Sequence, residues 1–268
     1  MEQDDKVSVI MPSYNAGKLL VGSIKSILSQ THQNLELLIT DDASTDELTL
    51  NLLHKYERLD TRVNVEYLTR NEGAGHARNC SIRRATGRYI AFCDSDDRWT
   101  EDKLELQLAF MAKKNCALSC TSYIICNDKQ HVIGISIPPK IISYNMLKRD
   151  NKIGCLTAIY DTKKLGRKFY MPTIRKRQDW ALFLSIFKQC GCCYAYLEKP
   201  LAYYNLRHNS ISHGKLKLIK YNIAVYRDIL GFSTIKSYAY FFFLFIPSYS
   251  AKILKRKIDS KKYCTFHK

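Results

Sequence analysis

Asp94, Asp96 and Asp97 stand close together directly after the apolar run Arg88-Tyr-Ile-Ala-Phe-Cys93. That run reads as a buried strand. Three carboxylates crowded past the end of such a strand repel one another unless a cation sits among them. Hard divalent ions such as Mg2+ and Mn2+ take oxygens from one or two carboxylates and fill their shell with water and phosphate. The Asp-Ser-Asp spacing therefore points to a metal–diphosphate site, with a solvated acidic turn as the plainer alternative. Two further polar clusters follow apolar runs in the same way. Pro12-Ser-Tyr14-Asn15 follows residues 7–11, and Asp41-Asp42 follows residues 35–39.

These clusters need a scaffold that brings strand ends together. Leu19, Ile24, Ile27 and Leu28 recur at helical spacing after the first run. Leu48, Leu52, Leu53 and Tyr56 do so after the second, with Thr45 or Asp46 as N-cap. Residues 63–68 form a third apolar run, and a helix over about 74–85 leads to the run before Asp94. This βαβαβαβ order predicts a mostly parallel sheet with helices on both faces. Ligands bind such sheets at the carboxyl ends of the strands, where all three polar clusters fall. The second half is less regular. Residues 116–126 and 131–137 read as strands around a turn at Asn127-Asp128, and 153–160 as another strand. Residues 179–187 read as a helix, with strands at 193–197 and 201–206 flanking Pro200. Helical patterning returns over 215–230 and from Ser233 to about Lys257.

With 268 residues and 46% hydrophobic content, the chain can bury one substantial core. Lys and Arg total 42 against 25 Asp and Glu, a net charge of +17. From Leu201 onward, thirteen Lys/Arg face two Asp/Glu, so an anionic partner is expected for the C-terminal part. There Tyr238-Ala-Tyr-Phe-Phe-Phe-Leu-Phe-Ile246 is strongly apolar, and Pro247 ends the run. The run falls short of the roughly 20 apolar residues that a bilayer crossing takes. Aromatics followed by Lys252, Lys255, Arg256 and Lys257 fit a helix lying on an anionic membrane. A buried packing helix or an oligomer contact fits the same pattern.

Several function classes are disfavoured. The sheet-edge motifs are acidic, which argues against nucleic-acid binding despite the charge. Met1-Glu-Gln-Asp-Asp-Lys6 is polar and acidic and does not read as a secretory leader, so the ten cysteines are expected as reduced thiols. Cys190-Gly-Cys192-Cys193 has no second Cys/His pair at zinc-finger spacing. Gly73-Ala-Gly75 would put the third glycine of a dinucleotide fingerprint at Arg78, and it follows the third strand rather than the first.

Read in order, Pro12-Ser-Tyr14-Asn15, Ser29-Gln-Thr31, Asp41-Asp-Ala-Ser-Thr-Asp46, Asn71-Glu-Gly73, Ala77-Arg78-Asn79, Ala85-Thr-Gly87 and Asp94-Ser-Asp-Asp97-Arg-Trp99 have a familiar spacing. Over about residues 7–212 the sequence resembles the family 2 glycosyltransferases of the GT-A fold. These are inverting enzymes that use nucleotide sugars, and the detailed pattern resembles those that build bacterial surface polysaccharides. The resemblance implies an α/β, Rossmann-like, mostly parallel sheet with helices on both faces. It implies a glycosyltransferase domain over 1–213, with a nucleotide-sugar half to about 100 and an acceptor half over 101–213. Residues 214–268 would form a basic, aromatic helical extension.

The resemblance also assigns roles. Pro12, Tyr14 and Asn15 fall on the turn that holds the nucleotide base. Asp42 matches the carboxylate that accepts the uracil N–H, with Asp41 capping the following turn. Asn71 and Arg78 fall in the nucleotide-sugar site, and a guanidinium at Arg78 suits phosphate oxygens. Asp94 would reach the ribose or donor sugar, Asp96 would bind Mn2+ or Mg2+, and Asp97 would bind sugar hydroxyls or support the site. In Arg177-Gln178-Asp179-Trp180, Asp179 matches the acid that serves as general base, while Gln178 replaces the usual acid before it. Gln178 and Trp180 would line the acceptor or sugar pocket. Tyr204-Asn-Leu-Arg207-His208-Asn-Ser210-Ile-Ser212 resembles the closing loop, with Asn205 at the usual Arg and Arg207 at the usual His. Arg207 would then contact the diphosphate rather than a metal, and His208 reads as a surface residue.

The expected activity is metal-dependent transfer of a hexose or N-acetylhexosamine from a UDP-sugar to a lipid-linked or glycolipid sugar acceptor. The expected location is cytoplasmic, peripheral on the inner membrane face. A catalytically silent nucleotide-sugar-binding assembly protein is the alternative, and the presence of Asp96 and Asp179 favours the enzyme.

Overall fold

A computed structural model describes residues 5–206 and 215–266. The first half alternates as expected: β1 (Val7–Ser13), α1 (Leu19–Leu28), β2 (Leu35–Asp41), α2 (Glu47–Leu59), β3 (Val63–Tyr67), α3 (Ala74–Arg84) and β4 (Tyr89–Phe92). Strands β1, β2, β3 and β4 pair in parallel, in the spatial order β3-β2-β1-β4. β1 is buried along its whole length, which is why it is mostly apolar and carries only the small polar Ser8 and Ser13. Asp46 is the N-cap of α2, its carboxylate accepting from Thr49 N at 3.0 Å.

The chain continues through β5 (Arg98–Trp99), α4 (Lys103–Lys114), β6 (Leu118–Thr121), β7 (Tyr123–Cys126), β8 (Val132–Ser136), β9 (Ile141–Ser143), α5 (Tyr144–Arg149), β10 (Ile159–Asp161), α6 (Thr162–Leu165), α7 (Gln178–Cys190), β11 (Cys192–Tyr196) and β12 (Ala202–Asn205). Strands β10, β6, β11 and β9 extend the first four into an eight-stranded sheet with antiparallel joints at β10 and β9. A second sheet has the order β5-β12-β7-β8. Two expectations are corrected here. Residues 116–126 are not one strand: the chain changes sheet at Ser122, whose carbonyl accepts from Leu201 N. β6 then pairs with β10 and β11, while β7 pairs with β8 and β12. An apolar run carries no mark of which sheet each half joins. Residues 153–160 are likewise interrupted by a 3-10 turn at Cys155–Thr157, closed by Thr157 Oγ1 donating to Gly154 O at 2.7 Å.

Alternate residues of the central strands feed two cores. Ile10, Leu38, Ile90 and Phe92 pack with α7 and the C-terminal helices. Val9, Met11, Leu37, Ile39 and Ala91 pack with α1 and α4. The C-terminal part consists of α8 (Lys215–Ala224), a π-helical turn at Val225–Ile229, α9 (Thr234–Tyr240), a second π-helical turn at Phe241–Phe245, and α10 (Ile246–Phe266). The helix runs through Pro247. The wide π turn just before it relieves the clash and the missing N–H that a proline brings to a helix interior. Phe241 and Phe245 face inward, and the Phe245 ring centre lies 5.8 Å from that of Trp180. α10 then lies along β8, where Ser260 Oγ accepts from Ile135 N at 3.0 Å and donates to Ile135 O at 3.2 Å. The contact needs Gly134, because a Cβ there would overlap the Ser260 side chain. Ile235 is 85% exposed and Phe243 77% exposed on the opposite side. Among the described residues, no helix is long and apolar enough to cross a membrane.

Candidate active site

The ends of β1, β2 and β4 lie side by side, with Ser13 in register with Asp41. Each end turns through a polar device. Pro12 is buried within β1, and Tyr14 beyond it is half exposed. Asn15 takes a left-handed backbone conformation, φ +46°. Its Oδ1 accepts from Thr45 N at 2.9 Å and Asp46 N at 3.1 Å, which ties the β1 turn to the β2 turn. Asp41 caps its own turn, accepting from Ser44 N at 2.8 Å and Ser44 Oγ at 2.6 Å. Asp42 is buried, and its two carboxylate oxygens accept from Glu72 N and Gly73 N, each at 2.8 Å. It thereby fixes the start of α3, where Gly73 adopts φ +93°. Each Asp42 oxygen keeps further lone-pair capacity for a ligand. Asn71, just before this anchor, is exposed.

α3 carries Arg78 to the end of β4. Its Nη2 donates to Asp94 Oδ1 at 2.5 Å. Burial works against the guanidinium charge, but Asp94, with further help from Cys155 and Asp179, holds it well above its ordinary range. The sequence assigned these two residues to different parts of a ligand. In the structure they hold each other, so a ligand meets them as a pair. Asp97 is buried, and burial pushes its carboxyl well above the usual carboxylate range, with the charges of Asp96 and Asp94 adding to the shift. Asp97 Oδ1 accepts from Asn205 N at 3.1 Å, and Asn205 Nδ2 donates to Asp96 O. β12 is thus clamped onto the acidic turn.

Three buried polar atoms near these strand ends lack a hydrogen-bond partner among the described residues: Ser13 Oγ, Arg78 Nε and Asn205 Oδ1. Native interiors leave few such atoms, and a group of them at one edge marks where a ligand belongs. The oxygen set fits a hard divalent ion. Asp96 is partly exposed, Asp94 and Asp97 lie beside it, and Asn205 Oδ1 has no hydrogen-bond partner among the described residues. No group of three Asp, Glu, His or Cys side chains converges among the described residues. Such an ion would complete its shell with water or phosphate.

Asp179 lies in the first turn of α7. Its charge acts on Arg78 and Cys155, so it lies near the Arg78–Asp94 pair. Asn151 Nδ2 donates to Asp179 Oδ2 at 2.8 Å. Gln178 lies directly over Gly75 of α3, and a Cβ at that glycine would overlap the carboxamide. That close approach joins the two halves of the molecule. Trp180 corrects the expectation that it lines a sugar pocket. It has no exposed surface, its indole N–H donates to Leu147 O at 2.7 Å, and its ring packs edge-on to Tyr226 at 5.6 Å. One residue past Asp179, the helix turns its side chain inward. Arg207 and His208 lie outside the described residues.

The model of glycosyl transferase family 2 matches residues 8–202. The chain belongs to that family. It is 43% identical to the putative teichuronic acid biosynthesis glycosyltransferase TuaG of Bacillus subtilis, over 83% of this chain and 88% of that protein. It is 39% identical to WfgD of Escherichia coli, a UDP-Glc:alpha-D-GlcNAc-diphosphoundecaprenol beta-1,3-glucosyltransferase, over 81% and 83%. Among solved structures, S. aureus TarS 1-349 in complex with UDP-GlcNAc superposes with a TM-score of 0.68 at 20% identity, covering 87% of this chain and 69% of that one. The mannosyltransferase PcManGT of Pyrobaculum calidifontis, in complex with GDP-Man and Mn2+, gives 0.62 at 17% identity, over 93% and 74%. The fold of this glycosyltransferase is therefore GT-A.

Sequence reasoning missed three residues of the site. Asn205 was noted only as a substitution, and its contacts with Asp96 and Asp97 depend on a strand of the second sheet. Asn151 comes from a stretch with no periodic signal, and Cys155 from one that reads as an ordinary strand. Burial pushes the Cys155 thiol well above its ordinary range, with Arg78 opposing and Asp94, Asp179 and Asp97 adding.

Proposed function

We propose that the chain is an inverting hexosyl- or N-acetylhexosaminyltransferase that uses a UDP-sugar and a lipid-linked sugar acceptor in bacterial surface polysaccharide synthesis. The observation that carries this reading is the Arg78–Asp94 ion pair at the end of β4, with Asp179 near enough for its charge to act on Arg78, within the span of the family match. The names of the relatives support the donor and acceptor classes. Tyr14, Asn15, Asp42 and Asn71 line the path for the nucleoside. Arg78 and Asp94 border the diphosphate and donor sugar, and Arg207 belongs to the same task. Asp96 would hold Mn2+ or Mg2+, with Asn205 Oδ1 available beside it and Asp97 buried nearby.

An ion held there would supply Lewis-acid neutralisation of the charge on the departing diphosphate. Asp179 takes the proton from the acceptor hydroxyl, and the oxygen forms its new bond to the anomeric carbon as the bond to the UDP oxygen breaks. Attack from the face opposite the leaving group inverts the anomeric centre, so an α-linked donor yields a β-linked product. Residues 1–213 carry this chemistry. Peripheral attachment to the inner membrane face, through the exposed side chains of α9 and the turn after it, would bring the enzyme to its lipid acceptor. The exposed Ile235, Tyr238, Phe242 and Phe243, followed by the Lys- and Arg-rich α10, support that reading.

The test is transfer from a panel of UDP-sugars to a GlcNAc-diphosphate-lipid, with Mn2+ or Mg2+ and with chelator, for the wild type, Asp96→Asn and Asp179→Asn. Metal-dependent transfer of one sugar, lost in both variants, is expected. Full activity in Asp179→Asn would remove the base assignment, and full activity under chelator would remove the metal. UDP binding without any transfer would favour a silent binding protein.

A further inference from the structure

One route from the C-terminal helices to the site is a short stretch of chain. Residues 147–153 run from the end of α5 toward the 3-10 turn, and several of their polar groups are held. Leu147 O accepts from Trp180 Nε1 at 2.7 Å, and Arg149 O accepts from the Tyr226 hydroxyl at 2.9 Å. Asp150 is fully buried. Its Oδ1 accepts from Lys252 Nζ at 2.8 Å, and its Oδ2 accepts from Lys152 Nζ and Ser248 Oγ, each at 2.7 Å. Burial alone would raise this carboxyl, but Lys252, Lys152 and Ser248 together hold it below its ordinary range. Lys252 Nζ also donates to Asn151 O at 2.7 Å.

Asn151 is the last link. Its Oδ1 accepts from Ile153 N at 3.1 Å, which fixes which way the carboxamide points. Its Nδ2 then donates to Asp179 Oδ2. On the other side of Asp179, Arg177 is held at φ +69°, a left-handed conformation that disfavours a side chain. Arg177 Nε donates at 2.9 Å to Asn222 of α8, itself buried. Both flanks of Asp179 are therefore tied to the C-terminal helices, by α8 on one side and α10 on the other.

Resting on the proposed role of Asp179 as base, we infer that Asn151 is a positioning residue for that carboxylate, held in place by the Lys252–Asp150 clamp from α10. The amide N–H occupies Oδ2, which leaves Oδ1 to take the acceptor proton. It also sets the direction in which that oxygen faces. The C-terminal helices are thus part of the catalytic apparatus without touching substrate.

The experiment measures kcat and KM for the UDP-sugar, using the transfer assay above, in Asn151→Ala, Lys252→Met, Asp179→Asn and Asn151→Ala/Asp179→Asn. UDP affinity and thermal unfolding report whether each variant is folded. Misplacing the base should lower kcat by on the order of ten- to a hundredfold in Asn151→Ala, with KM for the UDP-sugar unchanged. Lys252→Met should give a smaller fall of the same kind. In the Asp179→Asn background, Asn151→Ala should cost nothing further, because the group it positions is gone. Additive losses, or wild-type kcat in a folded Asn151→Ala, would overturn the positioning role while leaving Asp179 as base. Wild-type kcat in Asp179→Asn would overturn both.

Discussion

Lys103 offers a test of the energetics beneath the site. It is the first residue of α4 and has no exposed surface. Its Nζ donates to Gln107 Oε1 at 2.7 Å and lies 4.4 Å from the centre of the Trp99 ring. Among the described residues no carboxylate pairs with it. Burial lowers its ammonium from 10.5 to about 7, and the nearby Cys93 and Cys120 thiols offset this only in part. Below pH 7 the folded and unfolded chains both carry the proton, and the cost of burying the charge is fully present. Between about 7 and 10.5 the unfolded chain keeps a proton that the folded chain has released, so stability rises with pH across that window. At about 1.4 kcal/mol per pH unit, the rise between about pH 7.5 and about pH 9 comes to roughly 2 kcal/mol. Lys103→Met removes this rise. It also leaves Gln107 Oε1 without a donor, a cost of about 1–3 kcal/mol. That cost is the same at both pH values, so it shifts the level and not the slope. Urea unfolding followed by circular dichroism at the two pH values, for both proteins, isolates the slope. Parallel behaviour of wild type and variant would refute the reasoning and mean that the ammonium keeps its proton in the folded protein.

Three further outcomes are expected. Trp180→Phe should cost about 1–3 kcal/mol in urea unfolding, because Leu147 O loses its donor, and should leave the KM for the UDP-sugar unaltered. A changed KM at unchanged stability would put the indole at the ligand after all. Gly87→Ala should destabilise by about 1–3 kcal/mol, since its Cβ would lie 2.6 Å from Lys6 O and 2.8 Å from Ser8 N on the β1 backbone, where nothing yields cheaply. Unchanged thermal unfolding would contradict it. Ile235→Ser and Phe243→Ser should each lower partitioning onto phosphatidylglycerol vesicles by roughly tenfold or more while leaving stability unaltered, given about 1.5–3 kcal/mol for burying a large apolar side chain. Equal vesicle binding by the variants would remove these side chains from the membrane contact.

The first half of the chain was legible because each element reports on itself. Fully buried parallel strands read as unbroken apolar runs, and the helices between them keep helical spacing. Asp46 announces its helix by type and position. The acidic turn after β4 was legible for the same reason, since carboxylates at a strand end have few explanations. The second half was not legible where the fold depends on partners far along the chain. Ser122 divides one apolar run between two sheets, and no local signal says so. Trp180 follows Asp179 in sequence, yet it faces the core, because one step along a helix turns a side chain about a quarter of the way round it. Asn151 was invisible, since an Asn in a loop matters only once its donor and acceptor are both known.

The seam between α10 and β8 bears on any shortened version of this enzyme. β8 is the outer strand of its sheet, and Ser260 occupies both the N–H and the carbonyl of Ile135. Val132 and Ile133 beside it are exposed and apolar. Removing α10 would open a row of unpaired backbone groups flanked by β-branched side chains, a template for strand addition by another molecule. A truncated protein would therefore self-associate as well as lose its hold on Asp150. Loss of activity on truncation would then reflect two separate failures, and point substitutions at Ser260 and Lys252 are the way to separate solubility from catalysis.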